Sequence, residues 1–293
     1  MKPFDYVAPR SVAEAIALLA DEGRVARAFA GGTDLLVQLR QGRRDVDLVV
    51  DIKRIPDLRE LGYDPQDGLR LGAAVTCAEL CANPTVVQHY PGLVEAVSLI
   101  GGAAIQQRAT VGGNLCNAAP SADSIPALMV LDAWAEVTGP QGTRRVAVRE
   151  FCTGPGATVL APEELLVALH VPSPAPRSGA AYLRFTTRKE MDIAVVGVGA
   201  WLRLSEDLAR IEEARIALGA VGPTPLVADE ASAALIGCAS DDEVVFMEAA
   251  RLAQQVARPI SDTRGTAAQR RHLVGVLVRR ALQRGVARAR QSV

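Results

Sequence analysis

TVGGNLCNAAPSAD, residues 110–123, decides how the rest of the chain is read. Gly112 and Gly113 stand beside the amide Asn114, and the carboxylate Asp123 follows Pro120. Glycine and proline at this density suit neither a helix interior nor a regular strand, so the stretch is expected to be a loop. Glycine tolerates positive φ and lets a ligand approach the backbone closely. Asp123 has two readings. It caps a helix over SIPALMVLDA, or it accepts hydrogen bonds from ribose hydroxyls, as a carboxylate does in other dinucleotide sites.

A second stretch of the same chemistry lies upstream. AFAGGTDLL, residues 28–36, places Gly31 and Gly32 between a strand and a helix start, with the Thr33 hydroxyl beside them. Backbone amides at such a turn suit a phosphate. A lone pair of glycines is equally a tight turn with no ligand. Two such turns could clasp the two phosphates of one dinucleotide. Other phosphate signatures are missing: there is no GxxxxGK[ST], and Gly197-x-Gly199 has Leu202 where a Rossmann fingerprint needs glycine. Those two glycines read as close packing in a strand.

Working outward, Ser11 with Glu14 and Thr76 with Glu79 have capping-box spacing and predict helix starts. Strands are expected in RVARAFA, DVDLVVDI, GLRLG, AWAEVTG, TRRVAVREF and ELLVALHVP. PSPAPRSGA, residues 172–180, marks a linker or domain edge. Extended runs AAYLRFTTR, IAVVGVGAWLRL and ARIALGAV follow, then two helices, one opening at Ser240-x-x-Glu243 and one running from Thr266 to about Ala289. Strands and helices mix without strict βαβ alternation, which favours an α+β fold. Arg279, Arg280, Arg284, Arg288 and Arg290 load the last helix with charge, either as a solvated face complementing the helix dipole or as a docking surface.

Composition excludes several classes. The 293 residues are 49% hydrophobic with a net charge of −1, so a substantial core forms and a general grip on nucleic acid or an acidic membrane is not expected. Aromatics at 4% argue against a base-stacking platform. The N-terminus has no basic region followed by an apolar one, and no apolar run is long enough for a transmembrane helix. Five cysteines at irregular spacing fit a reducing cytoplasm better than a disulfide framework. The three histidines, His89, His170 and His272, have no metal-ligand spacing.

Four motifs in order carry a family resemblance: AGGTDLL (30–36), TVGGNLCNAAPSADSIPAL (110–128), YLRFTTRKEMDIAVVGVGA (182–200) and PISDTRGTAAQRRHLVGVLVRRAL (259–282). Together they resemble the FAD-binding medium subunit of molybdenum hydroxylases, the group of carbon monoxide dehydrogenase and xanthine dehydrogenase. The resemblance implies a two-subdomain FAD-binding domain of the vanillyl-alcohol-oxidase (PCMH) type over residues 1–175, split near residues 57 and 58, and a smaller α+β domain over 176–293. It implies non-covalent FAD. Relatives that tether FAD use a histidine in the first glycine motif, and AGGTDLL has none. Ala30, Gly31, Gly32, Thr33 and Asp34 would wrap the pyrophosphate, and Thr110, Gly113, Asn114 and Cys116 would line its second side. Asp123 would face ribose or ribityl hydroxyls. Ile100 would lie near the flavin, and Arg184, Asp192 and Ile193 over its ring. No catalytic acid or base is implied.

The family reading also implies partners: a large molybdopterin subunit and a small [2Fe–2S] subunit, as a dimer of heterotrimers, with NAD, a quinone or oxygen taking the electrons. An additional [4Fe–4S] cluster, carried by some relatives, would need four clustered thiolates, and Cys77, Cys81, Cys116, Cys152 and Cys238 read instead as buried thiols. Two other functions compete. A stand-alone flavin reductase of the same fold, like the enolpyruvyl reductase of peptidoglycan synthesis, would need its own acid. A redox-inactive nucleotide-binding scaffold would not need both glycine motifs intact.

Overall fold

Side-chain caps set several helix starts. In the computed structural model, which describes residues 2–189 and 191–292, Ser11 Oγ accepts from Glu14 N and opens the helix Val12–Leu19. The Glu14 carboxylate reaches Arg10 N instead of Ser11 N, so that box is half closed. Thr76 and Glu79 make both bonds of theirs at the head of Cys77–Ala82. Thr266 Oγ1 accepts from Gln269 N and opens Ala267–Ala289.

Three expectations are corrected. The strand over TRRVAVREF stops at Ala147, and Val148–Phe151 is a helical turn. The run after Thr110 is not a loop: Val111–Asn117 is helical. Thr110 Oγ1 accepts from Gly113 N, so the glycines occupy the first turn, and Ala118 ends the helix in the left-handed region at φ 46°. The helix near 240 opens at Asp242, not Ser240, and spans Glu243–Val256. Asp242 Oδ1 accepts from both Val244 N and Val245 N, whereas the Ser240 hydroxyl is turned across the fold, donating to Leu208 O and accepting from Arg290 Nη2.

Three sheets organise the chain. Asp5–Val7 (β1), Ala26–Phe29 (β2) and Leu48–Asp51 (β3) form a parallel sheet in the order β1-β3-β2, with helices Val12–Leu19 and Leu35–Arg40 as crossovers. Leu61–Asp64 (β4), Gly68–Gly72 (β5), Trp134–Gly139 (β6) and Gly142–Ala147 (β7) join an antiparallel sheet. A short ribbon of Cys152–Gly154 (β8) and Ala157–Thr158 (β9) follows, and Leu165–Val171 (β10) completes that sheet in the order β4-β5-β10-β6-β7. Ser178–Phe185 (β11), Val196–Leu204 (β12), Ile211–Gly219 (β13) and Leu226–Val227 (β14) form an antiparallel sheet in sequence order.

The strand β10 seals two layers at once. Its Leu165 and Val167 pack with Ala15, Leu48 and Val50 of the first unit, while Leu166, Leu169 and Val171 enter the core of the second. Side chains alternate from Leu165 to Val167, and a register shift between Leu166 and Ala168 then switches the phase, so Leu169 and Val171 face the second core. The third sheet carries the helix Ala267–Ala289 on one face, where Leu277, Val278, Ala281 and Leu282 join its core. Its other face meets the helix Ser124–Val130. There a Cβ on Gly199 would stand 2.6 Å from Pro126 O, so the glycine is needed for close approach.

Glu95 ties the last helix back to the second unit. It accepts from Arg284 Nη1 at 2.9 Å and Arg288 Nη2 at 2.6 Å, and from Tyr182 N at 3.0 Å. Arg290 Nη2 donates to Ser240 Oγ at 3.0 Å, so three of the five C-terminal arginines are spent within the chain.

Candidate dinucleotide cleft

The two glycine stretches meet. A Cβ on Gly31 would collide with the backbone of Arg108 and Ala109, which leads straight into Thr110. Gly32 turns at φ 74°, and a side chain there would run into the Phe29 ring. Gly112 lies against Ala73, with a virtual Cβ 2.8 Å from its Cα. Three of the four glycines are thus demanded by the chain's own packing. Gly113 differs: its nearest obstacle is the Thr110 hydroxyl, at 2.9 Å, and its open side looks into a cleft. Gln38 Nε2 donates to Asn117 Oδ1 at 2.9 Å and bridges the helices that follow the two stretches.

Ala30, Gly31, Gly32, Thr33 and Asp34 line one wall of this cleft, and Thr110, Gly113, Asn114 and Cys116 line the next, with Ile100 at its border. Among the described residues, the amides of Gly32, Thr33 and Asp34 meet no protein acceptor. Ser124 Oγ donates to Asn114 Oδ1 at 2.7 Å, which leaves the Asn114 amide nitrogen as the donor at the cleft. Free N–H groups around a space that a Cβ would narrow fit a phosphate-bearing ligand. The Cys116 thiol is pushed up to about 12 by burial, with Cys152 adding to it, so it lines the wall as an apolar group.

Four predicted residues stand elsewhere. Asp123 and Arg184 do not line the cleft. Their side chains are only 9% and 5% exposed and meet at 2.7 Å, and Tyr182 Oη donates to Asp123 at 2.8 Å. Burial pushes the Asp123 carboxyl up to about 6, against the pull of Arg184 and the Tyr182 hydrogen bond. Asp123 also makes no cap bond, although it occupies the N-cap position of Ser124–Val130. Asp192 instead nails down its own loop, accepting from Thr187 Oγ1, Arg188 N and Ile193 N. The Thr187 bond leads in holding its carboxyl down near 2. Ile193 is 49% exposed. The loop touches the cleft border through Met191, whose Sδ lies 3.1 Å from a virtual Cβ on Gly102, two residues past Ile100.

The residue reading missed the opposite wall, Leu160–Pro162 with Glu164–Leu166, and also Arg27 and Lys53. Pro162, between two extended runs, was the only local signal for that wall. Lys53 had none, because its partners are distant in sequence. Among the described residues, no group of three histidine, cysteine or acidic side chains could hold a metal ion, and no helix is long and apolar enough to cross a membrane.

Comparisons with known proteins converge on one family. The family described as "FAD binding domain in molybdopterin dehydrogenase" matches residues 2–174, and "CO dehydrogenase flavoprotein C-terminal domain" matches residues 181–284. The carbon monoxide dehydrogenase medium chain of Afipia carboxidovorans is 37% identical over 291 residues, covering 98% of each chain. The xanthine dehydrogenase FAD-binding subunit of Escherichia coli O157:H7 is 35% identical over 285 residues, covering 97% of this chain and 96% of that one. Among solved structures, reconstituted CO dehydrogenase from Oligotropha carboxidovorans superposes with a TM-score of 0.93 at 35% identity, covering 98% of this chain and 99% of the other.

Proposed function

The chain belongs to the FAD-binding subunits of the molybdenum hydroxylases, the carbon monoxide dehydrogenase and xanthine dehydrogenase group, and on that premise we propose that it relays electrons from a partner's [2Fe–2S] clusters to a final acceptor. Its cofactor is FAD, and it is the flavoprotein component of an oxidoreductase. Bound FAD supplies the exchange between one-electron and two-electron carriers that such a relay needs. A large subunit would hold molybdopterin and a small one the clusters, in a dimer of heterotrimers, with NAD, a quinone or oxygen as acceptor. The name "medium chain" borne by a relative supports partners of two other sizes. Five free thiols support a cytoplasmic setting.

In this reading the chain's residues bind, orient and shield. The amides of Gly32, Thr33 and Asp34, with Ala30 and Gly31 behind them, receive one side of the pyrophosphate. Thr110, Gly113 and the Asn114 amide receive the other, and Cys116 fills the floor. Leu160, Leu165 and Leu166 exclude water from the facing wall. Ile100 and the loop of Asp192 and Ile193 border the ring end. Asp123 and Arg184 act from behind, holding Ser124–Val130 against β11. A division near residues 57 and 175 is supported by the three sheets, which occupy 5–51, 61–171 and 178–227.

One observation carries the reading: Gly31 rests on the backbone of Arg108 and Ala109, so two amide-rich stretches far apart in sequence open into one cleft. The visible spectrum of the purified chain tests it, before and after addition of FAD and then of NADH without oxygen. Flavin bands released by denaturation support non-covalent FAD, and bleaching by NADH names nicotinamide as the acceptor. No flavin after reconstitution refutes the reading.

A further inference from the structure

Beneath the first glycine turn lies a polar network of Lys53, Asp51 and Tyr6, none of which lines the cleft itself. The Lys53 ammonium donates to Asp51 Oδ1 at 2.6 Å and to Ala30 O at 3.0 Å. It also sits 4.1 Å from the centre of the Phe29 ring, in cation–π contact. That same ring occupies the space a Gly32 side chain would need. Asp51, 5% exposed, is held in turn by its bond to Lys53 N and by the Tyr6 hydroxyl. Two of the three ammonium donors are taken by these oxygens, and the charge also rests against the Phe29 ring. With Asp51 it forms a neutral pair, which attracts an anion weakly.

We propose that Lys53 is a positioning residue: it fixes the Ala30 carbonyl and the Phe29 ring, and thereby holds the Gly31–Asp34 amides in the arrangement that receives the FAD pyrophosphate. This rests on the FAD reading above. Lys53→Met would strand the Asp51 carboxylate as well as free Ala30, so the decisive variant is Lys53→Met with Asp51→Asn, which removes both charges together.

The experiment measures FAD binding to the full apo-chain by fluorescence quenching, together with its urea midpoint. The double variant is expected to regain most of the wild-type midpoint yet bind FAD about tenfold more weakly or worse. Because the pair is neutral, that factor should be the same at low and high salt. A double variant that binds FAD as wild type does overturns the proposal. So does a loss that shrinks in high salt, which would make Lys53 a direct phosphate ligand. If the double variant does not fold, Phe29→Leu removes the ring against which Lys53 and Gly32 rest. It is expected to weaken FAD binding too, and unchanged affinity overturns the proposal. A wild-type chain that takes up no FAD refutes the parent reading, and this inference with it.

Discussion

Replacing Asp123 with alanine tests where that carboxylate is spent. It is 7% exposed and accepts hydrogen bonds from Arg184 Nη1 at 2.7 Å and Tyr182 Oη at 2.8 Å. The substitution leaves a guanidinium whose side chain is 5% exposed without its counter-charge. Breaking one side of a buried ion pair costs about 3–5 kcal/mol. The orphaned Tyr182 hydroxyl belongs to the same network, so its cost of about 1–3 kcal/mol overlaps that figure and does not add to it. Arg184→Met should cost a similar amount. The triple change Asp123→Leu, Tyr182→Phe and Arg184→Met removes every polar group at once and should return to within about 1–2 kcal/mol of wild type, since well-packed apolar replacements of buried pairs are often neutral. Urea unfolding of the apo-chain followed by tryptophan fluorescence measures this, because Trp134 lies in the second sheet and Trp201 in the third. A loss below about 1 kcal/mol for Asp123→Ala would refute the reasoning, for a carboxylate free to face a ligand costs little to remove.

Other predictions follow from the same geometry. Gly113→Val should abolish FAD uptake with little change in the apo-chain's urea midpoint, whereas Gly112→Ala, pressed against Ala73, should destabilise by about 1–3 kcal/mol; equal effects of the two on folding would sink the distinction. The raised Asp123 carboxyl keeps a proton in the folded chain that the unfolded chain has released. Its contribution to stability should therefore fall as pH rises from roughly 4 to 6 and stay level above, and Asp123→Asn should remove that slope. At Glu95 burial alone would raise the carboxyl, but Arg288 and the Tyr182 amide hold it below its ordinary value. Its stabilisation is complete above the unfolded carboxyl's range near pH 4 and is lost on further acidification. Glu95→Gln should flatten the acid limb of the stability profile, and an unchanged limb would show the Arg284–Arg288 clamp to be idle.

Sequence alone determined whatever is written in neighbouring residues. Ser11, Thr76 and Thr266 cap helices through bonds to an amide three residues on. The proline-rich stretch from residue 172 separates the second and third sheets, and Gly31–Gly32 marks a turn where strand passes to helix. These signals are local, so reading them needs no knowledge of what lies across the fold. Tertiary structure decided the rest. Val111–Asn117 is helical despite two glycines because Thr110 caps it and Ala73 admits no side chain at 112. Asp242 took the cap that Ser240 was expected to fill, because Leu208 and Arg290, both distant in sequence, orient the serine hydroxyl away from the helix start. Asp123 turned away from the cleft because Tyr182 and Arg184, about sixty residues on, reach it first. Lys53 mattered only once β3 lay beside β2 and brought its ammonium to the Ala30 carbonyl. A polar group's partner is set by whichever element packs against it, and burial then makes that choice expensive to reverse.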